Sequence, residues 1–329
     1  MKTLALFNNK GGVGKTTLTV NISDALSDLG YRVLMVDADP QCNLSSFFLP
    51  EKNLDEMLDK SDSDAGTTIW SAIRPVVRGK GAIKEIEPVK LTSKEFLIPG
   101  DVFLADYEEE LPEAWTSAFA RKERGYDVTC AFSHAVRVVA KKMKADVVIY
   151  DVGPNLGPLN RAILLDADCF ATPVAADLFS LRALSTVGRS LGKWITDWAT
   201  VRSLASEEHR ASLLKGRPAY LGYITSAYKI SSGRIATGPH DYWEKFIAPR
   251  VRDKIVAELR NVDPKLVPFT SNKLGGIKNF HSLAPQAQST GIAIGKLIGN
   301  VNSGYNVQVR EAGVEFASLA AEIAKRMKL

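Results

Sequence analysis

The stretch that most constrains the fold is the glycine-rich segment NNKGGVGKTTLTV, residues 8–20. It follows a short apolar run, TLALF, and precedes a segment in which apolar residues recur at helical spacing. A strand, a glycine-rich loop and a helix in this order are the context expected for a G-x-x-x-x-G-K-[ST] phosphate loop. The chain departs from that pattern twice, because Asn9 stands where the first glycine belongs and Lys10 adds a second lysine. The segment therefore predicts a phosphate-binding loop of an unusual kind.

The residue types of this loop suit an anionic ligand. Glycines let backbone N–H groups point at phosphate oxygens, and the positive end of the following helix faces the same place. Lys15 would hold the β- and γ-phosphates, the Thr16 hydroxyl would bind Mg²⁺, and Thr17 would donate to the α-phosphate. The alternative is a glycine-rich turn that only happens to precede a helix. The predicted nucleotide-binding residues of the loop are Gly11, Gly12, Val13, Gly14, Lys15, Thr16 and Thr17.

Strand and helix patterns alternate along the chain. A helix is predicted at about 16–29, with Gly30 as its C-terminal cap, and a second helix at about 129–144. The predicted strands are TLALF (3–7), RVLMVD (32–37), EFLIPG (95–100), ADVVIYD (145–151), ADCFATPV (167–174) and AYLGYITS (219–226). This alternation predicts an α/β fold, a doubly wound, mainly parallel sheet flanked by helices. We expect a single domain over 1–329, with an insertion at about 51–144, where the patterns are harder to assign.

The composition excludes several classes of protein. No apolar run approaches the roughly 18 residues of a membrane span, and the N-terminus lacks a signal-peptide pattern. Three scattered cysteines give no C-x-x-C spacing, which argues against a disulfide framework or a cysteine-held cluster in one chain. We therefore expect a cytoplasmic protein. The formal net charge of +5 permits an anionic partner but does not require one.

Several motifs together resemble one family. KGGVGKTT (10–17) is similar to the deviant Walker A motif of the ParA/MinD group of P-loop ATPases, in which a lysine occupies the position of Lys10. VDADPQCNLS (36–45) resembles the switch I signature of that group, and DVVIYDVGPNLGPLNRAIL (146–164) resembles its Walker B strand followed by switch II. ATPVAADLFSLRAL (171–184) and SLAPQAQSTGIAI (282–294) resemble a later strand and the region near the nucleotide base. The resemblance implies a P-loop NTPase fold and an ATPase that uses ATP and Mg²⁺, closest to the ParA-like partition ATPases.

The resemblance also implies roles for acidic residues at strand ends. Asp39 matches the switch I carboxylate that orients or activates the attacking water, and Asp151 matches the Walker B aspartate that binds Mg²⁺ through water. Asp37 ends its strand and would reach the Mg²⁺ shell; the alternative is a loop cap or a salt-bridge partner. Gly153 and Pro154 follow Asp151, a composition suited to a switch whose backbone N–H meets the γ-phosphate.

Contacts to the base and to the loop are less sharply defined by the sequence. Pro285 is a base contact by resemblance, whereas Thr225 and Ser226 are candidates because they end a strand. Asp177 follows another strand, where it either contacts the loop or a partner subunit, or caps a helix.

Lys10 is the residue through which the resemblance predicts a dimer. In the ParA/MinD group this signature lysine reaches across a nucleotide-sandwich dimer to the phosphates of the other subunit. Physically it takes the part of an arginine finger supplied in trans. The resemblance therefore implies a homodimer that forms on ATP binding, with Lys10, Lys15 and Asp39 as the catalytic residues. The alternative for Lys10 is a solvent-exposed loop lysine.

The C-terminal half suggests partner surfaces. Basic residues outnumber acidic ones in 189–217 (Arg189, Lys193, Arg202, Arg210, Lys215 and Arg217) and in 245–278 (Lys245, Arg250, Arg252, Lys254, Arg260, Lys265, Lys273 and Lys278). ParA-like dimers bind DNA without sequence preference through basic residues in this part of the chain, which phosphate contacts alone would explain. The alternative is an ordinary solvated helix face. By resemblance we also expect a stimulating ParB-like partner protein and association with the nucleoid in the ATP-bound state.

The last helix pattern, VREAGVEFASLAAEIAKRMKL, leaves two alternatives open. Its apolar face (Ala312, Phe316, Leu319, Ala320, Ile323 and Met327) would either pack on the core or, as in a MinD-like relative, lie on a membrane. Because the face is rich in alanine, we expect core packing and no membrane partner. Two alternative functions stay open beside the ParA-like one. They are a MinD-like membrane-associated positioning ATPase and a P-loop metabolic enzyme of related fold.

Overall fold

The computed structural model describes residues 1–228, 239–278, 280 and 282–329. Within these residues, eight strands form one sheet in the order β3-β4-β2-β5-β1-β6-β7-β8, in which only the β3–β4 pair is antiparallel. The strands are β1 (Lys2–Leu6), β2 (Val33–Ala38), β3 (Val89–Lys90), β4 (Glu95–Ile98), β5 (Val147–Val152), β6 (Cys169–Ala175), β7 (Ala219–Tyr228) and β8 (Lys273–Lys278).

Helices connect these strands and cover the sheet. They are α1 (Lys15–Asp28), α2 (Asn43–Phe48), α3 (Glu51–Lys60), α4 (Ile69–Val77), α5 (Leu104–Phe119), α6 (Glu123–Lys142), α7 (Pro158–Asp166), α8 (Leu178–Leu204), α9 (Glu207–Ser212), α10 (Pro239–Glu244), α11 (Ile247–Val251), α12 (Ala257–Val262), α13 (Leu283–Thr290) and α14 (Asn306–Met327). A π-helical turn, Arg252–Val256, joins α11 to α12, and short 3₁₀ turns lie at Pro264–Leu266, Ile294–Lys296 and Ser303–Tyr305.

The sheet is covered by helices on both faces, so the predicted doubly wound α/β fold is confirmed. Successive residues of a strand point to opposite faces. Leu4 and Leu6 of β1 accordingly join a core that includes residues of α1, α13 and α14, whereas Ala5 joins a core that includes residues of α4 to α8. Because both faces are apolar, the central strands are continuous hydrophobic runs rather than alternating ones.

The strand order places a ligand site at the end of β1. The chain crosses from β1 to β2 on one side and later returns to β6 on the other, so the order reverses at β1. In open α/β sheets, ligands bind at such a switch point, outside the carboxyl ends of the strands. The glycine-rich loop follows β1 at this edge. Asp37 of β2 lies directly opposite Asp151 of β5 in the parallel register, so the two carboxylates stand at the same height beside the loop.

Two elements differ from their predicted form for reasons that involve glycine. Helix α6 begins at Glu123, six residues before the predicted start, because Gly125 in its first turn weakens the helical signal. A Cβ at Gly125 would come within 2.4 Å of the Ala118 backbone N atom, so glycine permits the close approach of α5. Strand β8, KLGGIK, was not predicted; its adjacent glycines disfavour a strand, and a Cβ at Gly275 would come within 3.2 Å of Leu319.

The segment 51–144 is joined to the sheet. Its strand β4 pairs in parallel with β2, and β3 adds an antiparallel edge strand. Its helices α4, α5 and α6 pack on the face that also carries α7 and α8. The description of the chain as one domain with an insertion at about 51–144 stays a prediction.

The C-terminal helix packs on the protein core. All six residues of the predicted apolar face of α14 are buried, and they join the core that α1 and β8 also line. The face that a membrane-binding tail would need is therefore covered by the chain itself. Among the helices of the described part, none is both long and apolar enough to cross a membrane.

Candidate nucleotide site

The loop after β1 has the backbone shape of an anion cradle. Gly12 and Gly14 adopt left-handed conformations, with φ of 71° and 80°, which a side chain would strain. Gly14 is the N-terminal cap residue of α1, and no side chain of the described residues caps this helix end. The first N–H groups of α1 are therefore available to a ligand, and the positive end of the helix dipole points at the same place.

Lys15 folds back over its own loop. Its ammonium donates to the carbonyl oxygens of Asn8 (3.2 Å) and Lys10 (3.3 Å), and the residue is 8% exposed. Burial lowers the pKa of Lys15, while the carboxylates of Asp151 and Asp39 act in the opposite direction. A buried cation that donates to two carbonyl oxygens, with two carboxylates nearby, is well placed to receive a phosphate group.

Thr16 and Asp151 join the loop to the central strand. The Thr16 hydroxyl donates to Asp151 Oδ2 at 2.7 Å, and the Thr19 hydroxyl lies 3.4 Å from Oδ1. Burial, reinforced by Asp37, raises the pKa of Asp151 to about 7, although the Thr16 hydrogen bond and Lys15 oppose the shift. This pair of hard oxygen ligands suits Mg²⁺, which binds few protein groups and completes its shell with phosphate oxygens and water. Among the described residues, no group of three or more His, Cys, Asp or Glu side chains is placed to hold a metal ion.

Asp37 is directed towards the switch I segment. Its Oδ2 accepts hydrogen bonds of 2.7 Å from both the backbone N–H and the hydroxyl of Ser45, and its Oδ1 accepts one from Asp39 N–H at 3.3 Å. Burial raises the pKa of Asp37 to about 6, against the effect of the Ser45 hydrogen bonds. This geometry favours the loop-capping alternative; the role of Asp37 in the Mg²⁺ shell stays a prediction. Ser45 is the last residue of the switch I motif at 36–45, and the sequence alone predicts no role for it.

Asp39 and Gly153 face each other across the site. A Cβ built on Gly153 would lie 3.5 Å from the carboxylate of Asp39, which is itself 8% exposed. The Asp39 carboxylate also accepts a hydrogen bond from Gln41 N–H at 3.0 Å, which fixes its direction. The predicted switch I carboxylate and the predicted switch II glycine are thus neighbours at the same edge of the sheet. Their roles in catalysis stay predictions.

Lys10 lies at the rim of the loop and pairs with Asp177. Its Nζ is 2.5 Å from Asp177 Oδ2, and the two side chains are 30% and 35% exposed. Asp177 also caps α8, because its Oδ1 accepts hydrogen bonds from the N–H groups of Phe179 and Ser180. Partial burial raises the pKa of Asp177, but the hydrogen bonds from Lys10 and Ser180 outweigh it, so the net pKa is lowered. Asp177 therefore both contacts the loop and caps α8, so the two alternatives apply at once.

A cavity of about 240 Å³ adjoins the loop and is the candidate site for the base. The loop residues Gly12, Val13, Gly14 and Thr17 form one side. Ser226 lines the cavity, and its buried hydroxyl has no hydrogen-bond partner among the described residues. The remaining wall is formed mainly by apolar side chains, namely Leu18, Ile277, Phe280, Ala284, Ile294 and Phe316, with Lys278 beside them.

Two of the predicted base contacts lie outside this cavity. Pro285 is exposed on α13 next to the lining residue Ala284 and does not line the cavity itself. Thr225 donates to the Gly275 carbonyl oxygen at 3.3 Å and does not line it either. The sequence analysis did not single out Ile277 or Phe280, and it placed Phe316 only on the apolar face of the last helix. The signal for Ile277 was the strand β8, which its glycines obscure.

A larger groove of about 770 Å³ lies between α8 and α12, and its lining includes the segment before β7. Five of the six cations predicted in 189–217 line it: Arg189, Lys193, Arg202, Lys215 and Arg217. Arg217 pairs with Asp263, and Lys215 lies 2.8 Å from Asp168. Within the described part of the chain, Arg189 and Lys193 form no ion pair. The second basic stretch contributes Glu258, Asn261 and Asp263 to the groove but none of its cations.

The fold and the site together define a class. The sheet is mainly parallel, and a glycine-rich loop with a lysine follows its central strand β1. A threonine after this loop is hydrogen-bonded to an aspartate of β5, the neighbouring strand in the sheet. These features define a P-loop ATPase. The AAA_31 family model, described as an AAA domain, matches residues 1–199. The chain belongs to this family and is a ParA/MinD-like P-loop ATPase, as the motifs predicted.

Two relatives agree with this assignment, and one solved structure agrees with the fold. The sporulation initiation inhibitor protein Soj of Bacillus subtilis is 32% identical over 186 residues, which cover 56% of this chain and 62% of Soj. The chromosome partitioning protein ParA of Caulobacter vibrioides is 26% identical over 191 residues, covering 58% of this chain and 62% of that protein. The crystal structure of protein DIP2308 from Corynebacterium diphtheriae superimposes with a TM-score of 0.69 at 26% identity, covering 99% of this chain and 98% of that one.

Proposed function

We propose that the chain is an ATP-dependent dimerising ATPase of ParA type, which hydrolyses ATP to ADP and phosphate and thereby switches non-specific DNA binding in plasmid or chromosome partition. The observation that carries the hydrolytic part is the 2.7 Å hydrogen bond between Thr16 and Asp151. It joins the phosphate loop to the central strand at the switch point of the sheet. The names of the relatives, one of them a chromosome partitioning protein, support the cellular role.

The chemistry follows from what each residue offers. The free N–H groups of the loop and Lys15 bind the phosphates, while Thr16 and Asp151 would hold Mg²⁺. The metal would supply charge neutralisation on the phosphate oxygens. Asp39 orients the attacking water, and the Gly153 N–H meets the γ-phosphate. The apolar cavity beside the loop receives the base, and Ser226 is its buried polar group.

Dimerisation rests on Lys10. Its side chain is partly exposed at the rim of the loop, on the edge where a second subunit would meet the bound nucleotide. In the proposed dimer, Lys10 contributes its charge to the phosphates of the other subunit, while Lys15 serves its own. ATP binding and dimerisation are then linked, because each bound nucleotide forms part of the interface.

The groove between α8 and α12 is the candidate DNA surface. Arg189 and Lys193 lie one helical turn apart on α8, and neither pairs with a described acidic residue. Such cations suit phosphate contacts, which need no base recognition. In this scheme the ATP-bound dimer is nucleoid-associated within the cytoplasm, and a ParB-like partner protein stimulates hydrolysis and release.

Two assays test the proposal. ATP hydrolysis by the wild-type chain should fall at least about 100-fold in Thr16→Ala, because the metal would lose a ligand. The control Thr200→Ala removes an exposed hydroxyl of α8 and should hydrolyse ATP normally. A Thr16→Ala variant with wild-type turnover would show that the loop does not carry the chemistry.

Retention on DNA tests the second part. Arg189→Ala/Lys193→Ala should weaken ATP-dependent retention. It should also make the slope of log K against log salt shallower by about 2 for each subunit that contacts DNA, since roughly 0.9 counterions are released per phosphate contact. The control Lys52→Ala/Lys80→Ala removes two exposed cations from the 51–144 segment and should leave the slope unchanged. Equal slopes in the two double variants would mean that DNA binds to a surface other than the groove between α8 and α12.

A further inference from the structure

The loop after β5 is fixed by its own asparagines. The Asn160 side-chain amide donates to the carbonyl oxygens of Gly153 (2.9 Å) and Asn155 (3.0 Å). The Asn155 side chain accepts a hydrogen bond of 2.7 Å from Gly157 N–H. Residues 153–157 therefore form a closed turn at the start of α7, with Gly153 next to the Asp39 carboxylate. We call these residues the switch II turn.

The end of α7 that follows this turn lacks a cap of its own. Gly157 is the cap residue and offers no side chain, and Pro158 at the first helical position has no N–H group. The first N–H that needs an acceptor is therefore that of Leu159.

Glu108 of α5 places a carboxylate beside that N–H. Burial raises the pKa of Glu108, and the Leu159 N–H acts in the opposite direction. A Cβ built on Gly157 would lie 2.6 Å from Glu108 Oε1, so the carboxylate rests directly against the backbone of the switch II turn. A negative charge at this position also interacts favourably with the α7 dipole.

Helix α5 provides a rigid base for Glu108. The neighbouring Tyr107 is fully buried, and its hydroxyl donates to the Val128 carbonyl oxygen of α6 at 2.6 Å. Leu104 and Leu111, one turn to either side, are also buried. The carboxylate therefore has a fixed frame from which it contacts the switch II turn.

We propose that Glu108 is a positioning residue for ATP hydrolysis, which holds the switch II turn in the place where Gly153 meets the γ-phosphate. This inference rests on the proposed function, and it assigns to the segment 51–144 a direct contribution to the hydrolytic site. Because ADP has no γ-phosphate, the turn matters for turnover and not for ADP binding. An amide at position 108 keeps the acceptor oxygen, so glutamine preserves most of the effect.

The kinetic test compares three variants. Glu108→Ala should lower kcat roughly fivefold, as expected for the loss of one cap, while the Kd for ADP stays at the wild-type value. Glu108→Gln should retain most of the wild-type kcat. Glu109→Ala, the loss of an exposed carboxylate one position along α5, should leave kcat unchanged. Wild-type kcat in Glu108→Ala, or an equal loss in Glu109→Ala, would overturn the proposal.

Hydrogen exchange of the nucleotide-free chains gives a second readout, which does not depend on hydrolysis. Glu108→Ala should speed amide exchange in a peptide that covers residues 153–160 and leave the α6 peptides unchanged. Unchanged exchange at 153–160 would refute the positioning role, even if the wild-type chain proved to be inactive. Faster exchange together with an inactive wild-type chain would instead contradict the proposed function alone. If Glu108→Ala fails to fold, Glu108→Gln takes its place. Exchange and kcat at the wild-type values in Glu108→Gln support the proposal, and a roughly fivefold loss of kcat in Glu108→Gln refutes it.

Discussion

Lys10 Nζ lies 2.5 Å from Asp177 Oδ2, so the lysine predicted to act on a second subunit is held by an aspartate of its own subunit. The same aspartate caps α8 through its other oxygen, which fixes the carboxylate at the rim of the loop. Both side chains are about one-third exposed, and ion pairs of this kind contribute about 0–1 kcal/mol. The contact is therefore strong enough to orient Lys10 and weak enough to be exchanged for a phosphate.

The first prediction concerns the release of Lys10. Asp177→Asn keeps Oδ1 as the acceptor for the Phe179 and Ser180 N–H groups but replaces the oxygen that binds Lys10. We expect ATP-dependent dimerisation to tighten by up to about fivefold for each subunit, because neither Lys10 then has to leave a partner. Sedimentation velocity in an Asp39→Ala background, where turnover is expected to be slow, measures this affinity.

The control for this prediction is Asp106→Asn, which changes an exposed aspartate in the first turn of α5. It should leave the dimer affinity unchanged. A weaker dimer in Asp177→Asn would mean that Asp177 belongs to the interface and does not only restrain Lys10.

The second prediction concerns complementation between subunits. Lys10→Ala and Asp39→Ala should each be inactive alone, because one lacks the lysine in trans and the other the water-orienting carboxylate. In a mixed dimer, the subunit that retains Asp39 receives Lys10 from its partner. An equimolar mixture should therefore recover about a quarter of wild-type turnover, since half of the randomly formed dimers are mixed and each has one complete site.

This experiment separates a lysine in trans from one in cis. If Lys10 serves its own subunit, the mixture contains no complete site and stays inactive. A mixture of Lys15→Ala with Lys10→Ala is the matched control. There the subunit with Lys15 intact receives Lys10 from its partner only in the dimer model, so it should recover turnover as well.

The third prediction concerns Ser226, whose buried hydroxyl lines the base cavity without a partner among the described residues. A hydrogen bond to the base is worth about 1 kcal/mol, so Ser226→Ala should raise the Kd for ATP roughly fivefold. The same substitution removes an unsatisfied buried group, so the unfolding midpoint of the free protein should not fall. Nucleotide titration and thermal unfolding measure the two effects. Ser318→Ala, at an exposed site of α14, is the control, and an unchanged Kd in Ser226→Ala would contradict the assignment.

The sequence sufficed where the chemistry lies in contiguous residues. The loop from Lys10 to Thr17 carries its own geometry, because Gly12 and Gly14 need positive φ and the helix must start at Lys15. Strand ends are also readable, since an aspartate such as Asp151 that closes a buried apolar run has few other reasons to be there. These features, with the alternation of strands and helices, were enough to predict the doubly wound sheet and the family.

Contacts between distant segments could not be predicted in the same way. The base cavity joins Ser226 of β7, Phe280 after β8 and Phe316 of α14, and no local periodicity relates these positions. Glu108 lies on a helix that the sequence patterns did not reveal, and its carboxylate meets α7 only because α5 packs across it. Asp37 shows the converse case, because a strand-end carboxylate predicts a metal ligand and a loop cap equally well until Ser45 is placed beside it.

The fourth prediction concerns the dependence of stability on pH at Glu95 of β4, which is 5% exposed. Burial, and then nearby Asp24, raise the pKa of Glu95 above its ordinary value of 4.5, while the Thr92 hydrogen bond opposes the shift. A raised pKa in the folded state means that the associated stability is complete below pH 4.5 and is lost as the pH rises through the folded-state pKa.

Glu95→Gln mimics the protonated form and still accepts the Thr92 hydrogen bond. Thermal unfolding should therefore give a higher midpoint than wild type at pH 8 and the same midpoint at pH 4, whereas exposed Glu113→Gln should match wild type at both. A lower midpoint of Glu95→Gln at pH 8 would mean that the ionised carboxylate stabilises the fold through its attraction to Lys296.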